Sequence, residues 1–254
     1  MLTAQEIVNY QAPENSLQGR IILVTGAGDG IGKAAAMAYA EAGAMVILAG
    51  RTVEKLEQVY DQIIAAGGIE PLIYPVNFEG ATEDDFNELA NHCDQQFGRL
   101  DGLLLNAGIL GQRTPLAKYR ADVWDKVLQV NITSQHLITK ALMPVLEASK
   151  NASVIFTTSG VGRVGRAFWG AYAVSKFAIE GLVQTWASEN EGLNSVRINC
   201  LNPGATSTQM RATAFPAENP ESIASPQDIM PAYLYLMGSE SLAVNGQSID
   251  AQIR

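Results

Sequence analysis

Ser159, Tyr172 and Lys176 are the residues whose types and spacing can do chemistry together. Four residues make about one helical turn, so Tyr172 and Lys176 share a helix face. A tyrosine hydroxyl has an unperturbed pKa of ~10 and is a poor acid–base group at neutral pH. A lysine ammonium one turn away favours the tyrosinate and brings that hydroxyl toward use. Tyr172 can then protonate a carbonyl oxygen as a hydride reaches the carbon, or deprotonate an alcohol in reverse. Ser159 ends an apolar run thirteen residues upstream and can hydrogen-bond the same oxygen. Tyr-x-x-x-Lys arises by chance roughly 0.2 times in a chain of this composition, and requiring the upstream Ser lowers that to roughly 0.01.

A second constellation lies near the start. Residues 25–32 read Thr-Gly-Ala-Gly-Asp-Gly-Ile-Gly, directly after an apolar run and before an Ala-rich segment. A glycine turn between a strand end and a helix N-terminus offers backbone N–H groups and a positive dipole to a pyrophosphate. Gly26, Gly28, Gly30 and Gly32 would keep side chains out of that approach, with Asp29 and Ile31 lying between them. The charge of Asp29 opposes a phosphate. At the next apolar run the chain reads Leu48-Ala49-Gly50-Arg51-Thr52, with no carboxylate where a ribose diol would need one. Arg51 offers a planar fork suited to a 2′-phosphate, so NADP(H) is expected over NAD(H). The alternative is that Arg51 only begins a solvated helix.

These residues need elements to hold them. Apolar runs at 21–25, 45–48, 71–76, 102–105, 154–158, 196–201 and 246–250 predict strands. Helical patterns occupy 33–42, 53–66, 86–97, 122–147 and 172–189, with Pro144 kinking the fourth or marking its last turn. Elements alternating almost to the C-terminus, with continuously apolar strands, predict an α/β fold: a single-domain Rossmann fold whose doubly wound parallel sheet of about seven strands is flanked by helices. Residues 1–18 read as a polar N-terminal extension to one NAD(P)-binding domain over 19–254. Residues 207–225, with Pro216 and Pro220, read as a loop. The 254 residues are 47% hydrophobic and 17% charged, with a net charge of −9. That charge argues against nucleic acid and against an anionic membrane surface. Cys93 and Cys200 match no disulfide scaffold or thiolate metal site, so no metal is expected. Without a signal-like or membrane-spanning run, the expected location is the cytoplasm.

Taken in order, TGAGDGIG at 25–32, NAG at 106–108, Asn131, Ser159, YAVSK at 172–176 and NPG at 202–204 resemble the short-chain dehydrogenase/reductase family over essentially the whole chain. Segments such as GRVGRAFWGAYAVSKFA and DIMPAYLYLMG resemble its YciK-like bacterial branch, for which no settled substrate carries over. The resemblance implies that Asn131 completes a catalytic set with Ser159, Tyr172 and Lys176 by holding a water in a proton relay. It also implies that Asn106, Ala107 and Gly108 lie against the cofactor, that Lys176 bonds the nicotinamide ribose, and that Pro203, Gly204 and Thr206 line the carboxamide side. Asn77 and Phe78 stand where many members place an Asp for the adenine amine. Gly160 after Ser159, and Ile249-Asp250-Ala251-Gln252 in place of a Gly-rich ending, also depart from the pattern. Family members pair long helices across a two-fold axis, which implies a homodimer or homotetramer through 122–147 and 172–189.

The expected function is NADP(H)-dependent hydride transfer involving a small-molecule carbonyl or secondary alcohol. The rivals are 3-oxoacyl-acyl carrier protein reduction, which the negative charge disfavours, and a non-catalytic cofactor-binding regulatory or scaffold role. Met210 and Phe215 are candidates for contacts closing over the substrate. Arg163 and Arg166, near Trp169, either bind an acidic substrate or pair with carboxylates.

Overall fold

The five inner apolar runs become strands buried on both faces, and the alternating helices supply the cover. In the computed structural model, which describes residues 3–192 and 196–253, seven strands form one parallel sheet. They are β1 (Ile21–Thr25), β2 (Met45–Gly50), β3 (Leu72–Pro75), β4 (Gly102–Leu105), β5 (Ser153–Thr157), β6 (Arg197–Asn202) and β7 (Ser248–Asp250), in the order β3-β2-β1-β4-β5-β6-β7. Pairing runs in register from Thr25 opposite Ala49 to Thr157 opposite Leu201.

The helices are α1 (Ala4–Val8), α2 (Gly30–Glu41), α3 (Val53–Ala65), α4 (Glu83–Phe97), α5 (Ala121–Leu128), α6 (Ser134–Glu147), α7 (Gly170–Glu189), α8 (Gln209–Ala214) and α9 (Met230–Met237). Alternate strand residues feed two cores. Ile22 and Val24 join Tyr39 of α2, Leu56 of α3 and Tyr233 of α9 on one face. Leu23 and Leu103 join Phe86 of α4, Leu142 of α6 and Ile179 of α7 on the other. The two-residue period of a strand therefore produces the doubly wound arrangement directly.

Four segments differ from expectation. The helix expected over 122–147 is broken by a π-helical turn, Gln129–Thr133, at whose centre Asn131 is fully buried. Such a turn admits one extra residue and re-aims the side chains around it. Pro144 sits in the last turn of α6, as one of the two readings had it. The expected loop over 207–225 contains α8, started by the Thr208 hydroxyl accepting the Arg211 N–H at 3.1 Å. The last strand starts at Ser248, because Gly246 (φ +67°) is still turning the chain. Residues 4–17 are mostly polar, yet Ile7 and Leu17 are fully buried and Tyr10 meets the Tyr235 ring of α9 edge-on at 5.4 Å. No helix among the described residues is long and apolar enough to cross a membrane.

Candidate active site

A cleft of about 560 Å³ opens at the C-terminal ends of the parallel strands, where the strand order reverses between β1 and β4. Loops diverge at that point in such sheets and leave room for a ligand. Of the residues singled out in the sequence, Gly26, Gly28, Asp29, Gly30, Ile31, Arg51, Asn77, Phe78, Asn106, Ala107, Gly108, Ser159, Tyr172, Lys176, Pro203, Gly204 and Thr206 all line it. Gly32 and Asn131 lie behind that wall.

The glycine turn is built to keep its backbone bare. Gly26 (φ +68°) and Gly30 (φ +51°) take left-handed conformations, and a Cβ on Gly28 would lie 2.9 Å from the Lys55 Cβ. A Cβ on Gly32 would lie 2.2 Å from the Gly26 carbonyl oxygen, so that glycine lets α2 start hard against the turn. The cradle therefore fits a pyrophosphate at the start of α2. The Thr25 hydroxyl oxygen accepts the N–H groups of Asn106 and Ala107 at 2.9 and 3.0 Å, locking the turn to the loop after β4.

Asp29 resolves the charge conflict seen in the sequence. Its carboxylate ion-pairs with Lys55 and accepts the Gly30 N–H at 2.8 Å. Chiefly through the Lys55 hydrogen bond, its pKa is held below the usual carboxylate value. Lys55 escaped the sequence reading, although its place four residues after Arg51 puts both cations on the same end of α3. Arg51 is exposed and has no ion pair among the described residues. Asn77 is exposed and Phe78 is buried against Phe86, with ring centroids 6.1 Å apart.

At the other end, β5 delivers Thr157 and Ser159 and α7 delivers Tyr172 and Lys176. The Lys176 ammonium is buried, donates to the Thr157 carbonyl at 2.7 Å and lies 5.6 Å from the centre of the Tyr172 ring. Burial lowers its pKa to about 8. Burial also raises the Tyr172 pKa to about 12, against an opposing hydrogen bond from Ser159. The direction is opposite to the lowering expected from the spacing to Lys176, and burial is its cause.

Asn131 is hydrogen-bonded to both neighbouring elements. Its side-chain carbonyl accepts the Ile109 N–H at 2.8 Å, and its amide donates to the Ile109 carbonyl and to the Ser175 hydroxyl at 2.9 and 3.1 Å. It therefore ties the loop after β4 to α7. Gln252 binds the opposite wall, donating to the carbonyls of Pro203 and Ala205 at 2.7 and 2.9 Å. Arg163 does not face the cleft. It pairs with Glu180 at 3.4 Å and Asp250 at 2.7 Å, the second of the two readings offered for it, while Arg166 is exposed. Met210 lines the cleft, and Phe215 packs on Trp169 at 5.8 Å.

The family of short chain dehydrogenases matches residues 20–219. Over 245 residues the chain is 47% identical to the oxidoreductase YciK of Escherichia coli, covering 96% of each. A short chain dehydrogenase from Shigella flexneri, solved in complex with NADP, superposes with a TM-score of 0.93 at 47% identity, over 95% of this chain and 100% of that one. Its counterpart from Escherichia coli CFT073, solved with NADPH, superposes with a TM-score of 0.92 at 48% identity, over the same shares. The strand order, the glycine turn at the sheet's switch point and these likenesses agree, and the chain belongs to the short-chain dehydrogenase/reductase family of NAD(P)-dependent oxidoreductases.

Proposed function

We propose that this protein uses NADP(H), in preference to NAD(H), to interconvert a carbonyl and an alcohol of a small molecule. The observation that carries the reading is the placement of Ser159, Tyr172 and Lys176 together in the wall of a cleft whose far end is the bare glycine turn and Arg51. When bound, the dinucleotide supplies or accepts the hydride. The N–H groups of the turn at Gly26–Gly32 bind its pyrophosphate, and Asn77, Phe78 and Asn106–Gly108 line the dinucleotide site. Arg51 binds the 2′-phosphate, while Lys55 cancels the charge of Asp29. Pro203, Gly204 and Thr206 close the carboxamide side.

Ser159 donates to the substrate oxygen and fixes it beside Tyr172. Tyr172, protonated at neutral pH, gives that oxygen its proton in reduction and takes it back in oxidation. The Lys176 ammonium stabilises the tyrosinate left behind and bonds the nicotinamide ribose. Asn131 holds Ile109 and Ser175, and so keeps the loop after β4 and helix α7 at a fixed separation around the relay. NADP(H) complexes of the two similar dehydrogenases support the cofactor reading.

Tyr172→Phe tests the assignment. The ring is kept, so NADPH affinity measured by fluorescence titration should be unchanged. Turnover across a panel of ketones, aldehydes and quinones should fall by about 10²–10⁴. Near-normal turnover by the Phe variant would remove Tyr172 from the acid–base role.

A further inference from the structure

The charges lining the cleft are unevenly placed. Asp29, Arg51, Lys55 and Glu79 stand at the end formed by β1, β2 and β3. Around Tyr172 the wall is Leu110, Trp169, Met210 and Ala214, packed into one apolar cluster with Val161 and Ala173. Among the described residues, Arg211 is the one charged lining residue on that side besides Lys176, and its guanidinium is already used. It donates to both Glu218 carboxylate oxygens at 2.6 Å and lies 3.8 Å from the centre of the Phe215 ring. Lys176 is committed to Thr157. A carboxylate or phosphate beside the reacting carbonyl would thus find no charged lining residue unengaged, and a charge buried without a partner is strongly unfavourable.

Trp169 is held in this wall with unusual firmness. The residues on either side of it, Phe168 (φ +70°) and Gly170 (φ +41°), are both left-handed. A side chain at Gly170 would lie 2.3 Å from the Tyr119 ring, so only glycine lets the Trp169 turn close onto Tyr119. The Tyr119 hydroxyl in turn accepts the Gln112 N–H at 3.0 Å, which anchors the loop carrying Leu110. Arg113, on that loop, lays its guanidinium 4.4 Å from the centre of the Trp169 ring and donates to the Ala214 carbonyl at 2.7 Å. A strained non-glycine residue beside a clamped aromatic is the kind of arrangement kept where a side chain must be aimed. The Trp169 and Tyr172 rings are 5.7 Å apart.

We propose that the substrate is a neutral ketone or aldehyde with an apolar, ring-bearing group beside its carbonyl, and that Trp169 selects it. The inference rests on the carbonyl-reducing reading above and adds the substrate class. In the reaction the carbonyl carbon gains hydride from NADPH and the oxygen gains the Tyr172 proton, leaving the alcohol and NADP⁺. Apolar surface of the substrate is removed from water against Leu110, Met210 and Trp169, while a charged neighbour is disfavoured because Lys176, Arg211 and Arg113 are already engaged, with Thr157, with Glu218, and with the Trp169 ring and the Ala214 carbonyl.

Ethyl benzoylformate and benzoylformate test this, because they share ring and ketone and differ in one charge. NADPH consumption should give a kcat/KM for the ester at least about tenfold above that for the acid. Trp169→Ala should raise KM for the ester about tenfold with kcat changed by less than about threefold, and Trp169→Phe should restore most of the loss. NADPH affinity should be the same in all three proteins. Equal or better use of the acid, or an unchanged KM in Trp169→Ala, overturns the substrate class and leaves the reaction standing. Reduction of neither compound, with NADPH bound normally, counts against the reductase reading itself and carries this inference down with it.

Discussion

Arg51 stands exposed at the end of β2 with Lys55 one turn further on, and Lys55 is taken up by Asp29. That division leaves Arg51 available for the 2′-phosphate contact proposed above. Charge-assisted hydrogen bonds contribute about 1.5–3 kcal/mol, or roughly ten- to a hundredfold in affinity. Arg51→Ala should weaken NADPH by that factor and leave NADH nearly unchanged in parallel titrations. Equal losses would make Arg51 structural. Adding Gly50→Asp should turn the preference toward NADH. A Cβ at Gly50 would come within 3.2 Å of the Leu56 Cδ2, a contact that a small side-chain shift relieves. A second residue-scale prediction concerns pH. Lys176, lowered to about 8 by burial, carries its charge below that pH and loses it above. In the proposed reduction the ammonium stabilises the developing tyrosinate, while Tyr172 itself, raised to about 12, stays protonated across this range. The kcat/KM for reduction should therefore hold below pH 8 and fall as pH rises through it. A flat profile to pH 10 would show that the Lys176 charge is not used.

Between elements, one network carries the reacting groups. Glu180, two turns beyond Tyr172 on α7, accepts hydrogen bonds from the Thr158 and Ser248 hydroxyls, both at 2.8 Å, and pairs with Arg163. Arg163 reaches Asp250, which also accepts from Asn202 at 2.7 Å. The ends of β5, β6 and β7 are thereby fastened to the helix that carries Tyr172 and Lys176. Glu180→Leu would strand the Thr158 hydroxyl and leave Arg163 with one carboxylate. Leaving such buried groups unpaired costs about 1–3 kcal/mol. At about 2–4 °C per kcal/mol for a chain of this size, the melting temperature should drop by several degrees. Calorimetry checks this, and an unchanged melting temperature would mean the three strand ends are held independently of Glu180.

For the whole molecule, the outward side of α7 exposes Val174 (41%) and Phe177 (45%), three residues apart on one helix face. A solvent-facing helix has no need of such a pair, and two-fold pairing through α5, α6 and α7 would cover it. The protein should accordingly be at least a dimer at micromolar concentration by light scattering, and Phe177→Glu should shift it toward monomer. A monomeric wild type would refute the assembly. The N-terminal segment belongs to the same scale, since Ile7 and Leu17 are buried in the core shared with α2 and α9.

Sequence alone determined the strand–helix alternation, the glycine turn and the Ser159–Tyr172–Lys176 set. Each of these is written in local periodicity or in short fixed spacings, and a helix turn or a strand end converts such spacing directly into geometry. The preference for Arg51 over an acid at the end of β2 was legible for the same reason. Tertiary structure alone decided the rest. The π-helical turn that aims Asn131 follows from its bonds to Ile109 and Ser175, which lie 22 and 44 residues away. The pairing of Lys55 with Asp29 spans 26 residues, and the bond from Arg113 to Ala214 that helps clamp Trp169 spans 101. Even the direction of the Tyr172 shift depended on folding, because it follows from burial, which no spacing records.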